Sequence, residues 1–161
     1  MITITPVRPD FLAKARQAGL DDQNQPVEHL IAEGGEPCRD TLRRAQPGEK
    51  LILGSYCPFS RPGPYKEYGP IFIQAEPADT PPDLTRLPTR ASTGPAYLSH
   101  MFVLRAYREN ETIATAGLVS TDNAQAVLEQ FFTDPEVHFV LARFAAYGCY
   151  ALRLDREITG K

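Results

Sequence analysis

Arg39, Arg105, Arg143 and Arg153, together with Cys38 and Cys149, are the residues of this chain best placed to do chemistry. Residues two apart on a strand point the same way. Met101, Val103, Arg105 and Tyr107 therefore share one face, Val137, Phe139, Leu141 and Arg143 a second, and Cys149, Ala151 and Arg153 a third. Each arginine stands among side chains that are otherwise largely apolar. A guanidinium desolvated without an acceptor is very costly, and its planar fork matches a carboxylate or a phosphate. The expectation is a cleft in which some of Arg39, Arg105, Arg143 and Arg153 hold a small anionic molecule, either bound or turned over. The plainer alternative puts these arginines at strand ends with their heads in water, or against acids such as Asp155 and Glu67.

Cys38 sits beside Arg39 on a loop, and a neighbouring cation lowers a thiol pKa and raises its thiolate fraction. That makes Cys38 the candidate catalytic or redox residue. A small buried apolar side chain is the simpler reading of a cysteine without a named base, and Cys57, before Pro58, is read that way. His29, His100 and His138 lie far apart on three expected strands with no H-x-H or H-E-x-x-H spacing, so no metal site is expected. No serine stands in G-x-S-x-G and no Gly-rich loop has a phosphate-binding pattern, so hydrolase and nucleotide-binding readings lack their marks and no cofactor is implied. Tyr65, Lys66, Glu67 and Tyr68 project from a Pro-stiffened loop, where limited freedom suits contact residues because less entropy is lost on binding. Packing of that loop onto a sheet is the alternative.

The elements that must position these residues are mostly strands. Ile2 to Val7 alternates as a strand, and a helix capped by Asp10 runs through Ala18 to Gly19. Val27 to Ala32 reads as a strand closed by Gly34 and Gly35. The run from Gly34 to Gln74 is the densest in special residues, with strands at Leu51 to Tyr56 and Ile71 to Gln74 between Gly- and Pro-rich loops. Asp40 to Ala45 is too short and Arg-rich for a helix. Glu76 to Pro95 carries five prolines and little apolar patterning, which predicts a long surface excursion. His100 to Tyr107 and Thr112 to Val119 form a hairpin around Arg108-Glu109-Asn110-Glu111. A helix follows over Asp122 to Phe132, capped by Ser120 or Thr121, with Ala124, Val127, Leu128 and Phe131 on one face. Val137 to Phe144 and Cys149 to Asp155 are the last two strands, and their short connection makes them an antiparallel pair. The order predicts one α+β domain over residues 1–161: a mostly antiparallel sheet of about seven strands, two helices and long Pro-rich loops.

Composition bounds the partners. The 161 residues suffice for a core without metal or disulfide support, with 42% hydrophobic and 23% charged residues. Proline is the outlier, 15 residues where about 5% is usual, and it concentrates in the loops. A net charge of −3 gives no long-range attraction to nucleic acid or to an anionic membrane. Three cysteines without C-x-x-C spacing fit a reducing compartment. Without a signal-like N-terminus or an apolar run of about 18 residues, a cytoplasmic location is expected.

At Glu36-Pro37-Cys38-Arg39, at the turn Gln46-Pro47-Gly48-Glu49 before an apolar strand, at Gly63-Pro64-Tyr65 followed by Gly69-Pro70-Ile71-Phe72, and from Gly148-Cys149-Tyr150 through Arg153 to Arg156, the chain resembles the bacterial family known as domain of unknown function 1203. The likeness spans nearly the whole chain. It implies a small stand-alone bacterial protein and brings no activity, ligand or mechanism with it. The segment before the Gly-Cys pair is often rich in His and Asn in that family, and here it reads Leu141-Ala142-Arg143-Phe144, keeping only an arginine. Beside the anionic-ligand reading stand a protein-interaction or structural module built on the excursion from Glu76 to Pro95, and a thiol redox sensor at Cys38.

Overall fold

The computed structural model describes residues 2–157. Ten strands follow in chain order: β1 Ile2–Thr5, β2 Glu28–Ile31, β3 Pro37–Cys38, β4 Arg43–Arg44, β5 Lys50–Tyr56, β6 Gly69–Gln74, β7 Met101–Tyr107, β8 Ile113–Ser120, β9 Phe139–Phe144 and β10 Tyr150–Arg156. They form two sheets of five, ordered β1-β10-β9-β7-β8 and β2-β5-β6-β3-β4. The α+β class holds, and the single sheet of about seven strands is corrected to two. Alternation identifies strands one at a time and carries no information on sheet membership. The break falls at the irregular segment from Glu76 to His100: the strands from β2 to β6 lie in one sheet, and those from β7 to β10 join β1 in the other.

The first sheet is antiparallel throughout, with β1 returning to pair Ile4 with Leu154. The second is mixed, because β3 runs parallel to β6 at Cys38 and Phe72. The sheets face each other across a layer that contains Tyr107, Phe139, Leu141 and Tyr150 from the first and Ile52, Tyr56, Ile71 and Ile73 from the second. Tyr107 stacks on Phe139 with centroids 5.0 Å apart, and Phe59 meets Tyr107 edge-on at 5.3 Å.

Helix α1, Pro9–Ala13, continues into a π-helical turn at Lys14–Ala18 and ends at Gly19 in the left-handed conformation, the usual use of glycine after a helix. Its cap position is Arg8, with Pro9 opening the helix, rather than Asp10. Phe11 and Ala15 enter the interlayer core. Helix α2, Ala124–Phe131, covers the outer face of the first sheet with Ala124 and Leu128 buried. Before it, Ser120 and Asn123 exchange hydrogen bonds, the Ser120 amide donating to Asn123 Oδ1 at 2.8 Å and the Asn123 amide to Ser120 Oγ at 3.3 Å. The irregular segment ends where Tyr97 and Leu98 enter this second core. No described helix is long and apolar enough to cross a membrane.

Candidate functional site

Arg105 and Arg143 face the second sheet from adjacent strands. The pairs Arg105 with Leu141 and Val103 with Arg143 lie directly opposite each other on β7 and β9, so the alternation places both guanidiniums on the interlayer side. Their heads converge on one atom. Arg143 Nη1 donates to Glu67 Oε1, and Arg105 Nη1 lies 3.6 Å from the same oxygen. Arg143 is nearly buried, its side chain 10% exposed, whereas Glu67 is 40% exposed. Arg105 Nη1 also lies 3.4 Å from the Tyr107 hydroxyl, whose pKa is raised by burial against the lowering effect of that arginine.

Glu67 arrives on the loop between β5 and β6. Its upstream end is held firmly: Phe59 is in the core, and buried Glu111 accepts hydrogen bonds from the Ser60 amide at 2.9 Å and the Ser60 hydroxyl at 2.5 Å. From Arg61 to Tyr68 every residue except Glu67 is exposed. Tyr65 is 42% exposed and Tyr68 43%, one on each side of Glu67 in the chain.

On its other side Arg143 holds the turn that joins β9 to β10. Its Nε donates to the Gly148 carbonyl at 2.9 Å, and Arg39 Nε donates to the Tyr150 carbonyl at 2.8 Å. Half-buried Cys149 lies between these two anchored carbonyls. A β-bulge between Tyr150 and Leu152 interrupts the alternation, so the shared face expected for Cys149, Ala151 and Arg153 does not form. The bulge leaves carbonyls outside the ladder, and side chains satisfy them: Arg39 takes Tyr150, and the Tyr97 hydroxyl donates to the Ala151 carbonyl at 2.6 Å.

Arg39 is 2% exposed. Its Nη1 donates to the Pro37 carbonyl at 2.7 Å, and its acceptors are thus neutral. Burial lowers its pKa, with Tyr97, Cys149 and Cys38 acting in the opposite direction. The Phe144 ring is approached by the guanidiniums of Arg39, at 5.0 Å, and Arg44, at 5.5 Å.

The remaining candidates stand apart. Arg153 chelates Asp155, with Nε–Oδ2 and Nη2–Oδ1 both at 2.9 Å, and covers the Phe139 ring at 3.9 Å. Cys38 is fully buried at the end of β3, between β6 and β4. Desolvation pushes its thiol up to about 12, and Asp40 and Glu49 reinforce this against the Gln74 amide and Arg39. That environment keeps the thiol protonated, so adjacency to Arg39 in sequence does not translate into thiolate character. His29, His100 and His138 are exposed at three separate places.

The structure thus joins Arg105 and Arg143 through Glu67 and ties Arg143 and Arg39 to the carbonyls on either side of Cys149; Tyr65 is exposed two residues before Glu67, and Arg153 and Cys38 lie outside this group. The model of the family described as protein of unknown function, DUF1203, matches residues 35–156. The chain belongs to the DUF1203 family. The matched stretch contains every residue of the gathered site and leaves out β1, α1 and β2. Comparison with curated proteins and with solved structures found no match.

Sequence reasoning singled out neither Thr41 and Arg44 nor Tyr97. Its available signals were the Arg43-Arg44 doublet in an otherwise Gly- and Pro-rich stretch, and the apolar pair Tyr97-Leu98 closing a proline-rich segment. Both are features of composition, and neither reveals a direction.

Proposed function

We propose that this DUF1203 protein binds a small dianion, a phosphate or a dicarboxylate, at Arg105 and Arg143, and that Glu67 is an internal competitor which the ligand displaces. The observation that carries this reading is the convergence of two guanidiniums on one oxygen of a single half-exposed carboxylate. Two positive charges face one negative charge, so a dianion balances the site better than Glu67 does. The arginine fork is also suited to two-oxygen contact, whereas both arginines make their closest approach to Glu67 at the same oxygen, Oε1. Release of Glu67 requires movement only of an exposed stretch whose upstream end stays pinned at Phe59 and Ser60. Tyr65 and Tyr68 supply exposed aromatic surface on the same loop.

A second reading, docking of an acidic segment of another protein, draws on the same charges and on Tyr147, which is 89% exposed on the β9–β10 turn. The redox alternative gains nothing from a buried, protonated Cys38. Thermal unfolding with inorganic phosphate and with succinate separates these possibilities. The wild-type protein is expected to be stabilised by at least one of the two, and Arg105→Ala to lose that shift. A shift retained in full by Arg105→Ala, or none with either anion, would overturn the dianion site.

A further inference from the structure

A second place in the molecule has uncompensated positive charge, and it is built from different residues. A cleft of about 1080 Å³ runs between the segment from Gly34 to Pro47 and the Pro-rich segment from Thr80 to Pro95. This is at the upper end of the roughly 300–1,000 Å³ typical of small-molecule sites. Four arginines line it, Arg43, Arg44, Arg86 and Arg90, against two acids, Glu49 and Asp83. Asp83 is taken by Arg86 at 3.1 Å, and Glu49 Oε1 accepts the Gln46 amide at 2.6 Å. Among the described residues, Arg43, Arg44 and Arg90 have no acidic partner.

Arg44 is the fixed member of the three. Its Nε, Nη1 and Nη2 donate to the carbonyls of Ala96 at 3.1 Å, Gly35 at 2.9 Å and Tyr97 at 3.0 Å, with the Phe144 ring behind it. Those acceptors tie both walls of the cleft to one side chain and leave its full charge in place. A guanidinium has five N–H donors, so Arg44 retains capacity for a ligand.

The floor departs from ordinary folding rules twice. Thr41 is 3% exposed, and its hydroxyl has no hydrogen-bond partner. Leu42 adopts φ of +53°, a left-handed backbone that a bulky side chain rarely takes and that concentrates at functional sites. Both residues line the cleft.

We propose that this cleft binds a small molecule carrying two or more linked phosphate groups, held by Arg43, Arg44 and Arg90. Arg43 and Arg90 are exposed and so hydrated in the free protein; with Arg44 they offer more positive charge than one carboxylate balances, and the space exceeds what one phosphate fills. Arginine is the side chain suited to phosphate oxygens. The proline content of the outer wall limits the conformations it must give up on binding.

Inorganic pyrophosphate is the probe, followed by isothermal titration and by amide shifts of the ¹⁵N-labelled full chain. Wild-type protein is expected to bind it saturably, with shifts concentrated at residues 41–46 and 86–97. Arg43→Ala combined with Arg90→Ala removes two cleft charges and should weaken binding about tenfold or more. A control, Arg61→Ala with Lys66→Ala, removes two exposed charges from the β5–β6 loop and should change it by less than about twofold. No saturable binding, equal weakening by both double variants, or shifts confined to the neighbourhood of Glu67, Arg105 and Arg143 would each overturn the cleft site. The last outcome would leave the Arg105–Arg143 site standing, so the two proposals fail separately.

Discussion

At the scale of single residues, environment and not sequence neighbours decides reactivity. Cys38 is next to Arg39 in the chain, yet burial outweighs the cation and pushes the thiol up to about 12. The folded state therefore holds a proton that the unfolded chain, with a thiol pKa near 8.5, gives up. The stabilising contribution is complete below about pH 8.5 and is lost as pH rises toward 12. Urea unfolding between pH 7 and 10.5 should show stability falling above pH 8.5, and the fall should be smaller in Cys38→Ala. At pH 8, alkylation of the native protein should label half-buried Cys149 before Cys38 or Cys57, both of which are buried. Thr41 is the opposite case, a group retained at a cost to stability. Replacing an unpartnered buried hydroxyl by a group of similar shape is neutral or stabilising. Thr41→Val should therefore raise the unfolding free energy of the ligand-free protein by up to about 1 kcal/mol. A loss of that size would indicate a hydrogen bond to the hydroxyl.

At the scale of elements, alternation succeeds where the ladder is regular. Val103, Arg105 and Tyr107 share a face with Phe139, Leu141 and Arg143 because β7 and β9 pair without interruption over those residues. It fails at Cys149, where one extra residue in β10 shifts every upstream side chain. A bulge depends on the partner strand and leaves no mark in a single sequence. The turn before it is legible, since Gly148 takes φ of +73° and glycine is the residue that does so without strain. Gly148→Ala should cost about 1 kcal/mol by urea unfolding, with no steric clash, because an added Cβ there meets nothing within 4 Å. The two shortest strands, β3 and β4, went unseen for another reason. Two residues are too few to display a period of two, and only their tertiary partners define them.

At the scale of the whole molecule, strands and helices were readable along the chain, but the division into two sheets was not. That division depends on which strands meet after the irregular segment, and on β1 returning to β10 across nearly the full length of the chain. Arg39 is one of the ties between the sheets: its amide donates to the Phe72 carbonyl in the second sheet, and its side chain reaches Tyr150 in the first. Arg39→Ala should destabilise the protein by about 3 kcal/mol through an unpaired carbonyl and a void. Arg39→Lys should recover little of this, because an ammonium lacks the fork that serves two carbonyls at once. Arg105 and Arg143 come from the first sheet and Glu67 from a loop of the second, so the proposed dianion site lies where the layers meet. The most direct test of that site is isothermal titration of inorganic phosphate into wild-type protein and into Glu67→Gln, which keeps the side-chain shape and removes the competing charge. Phosphate should bind Glu67→Gln about fivefold or more tighter than wild type; unchanged or weaker binding in the variant, or no binding in either protein, would contradict the account.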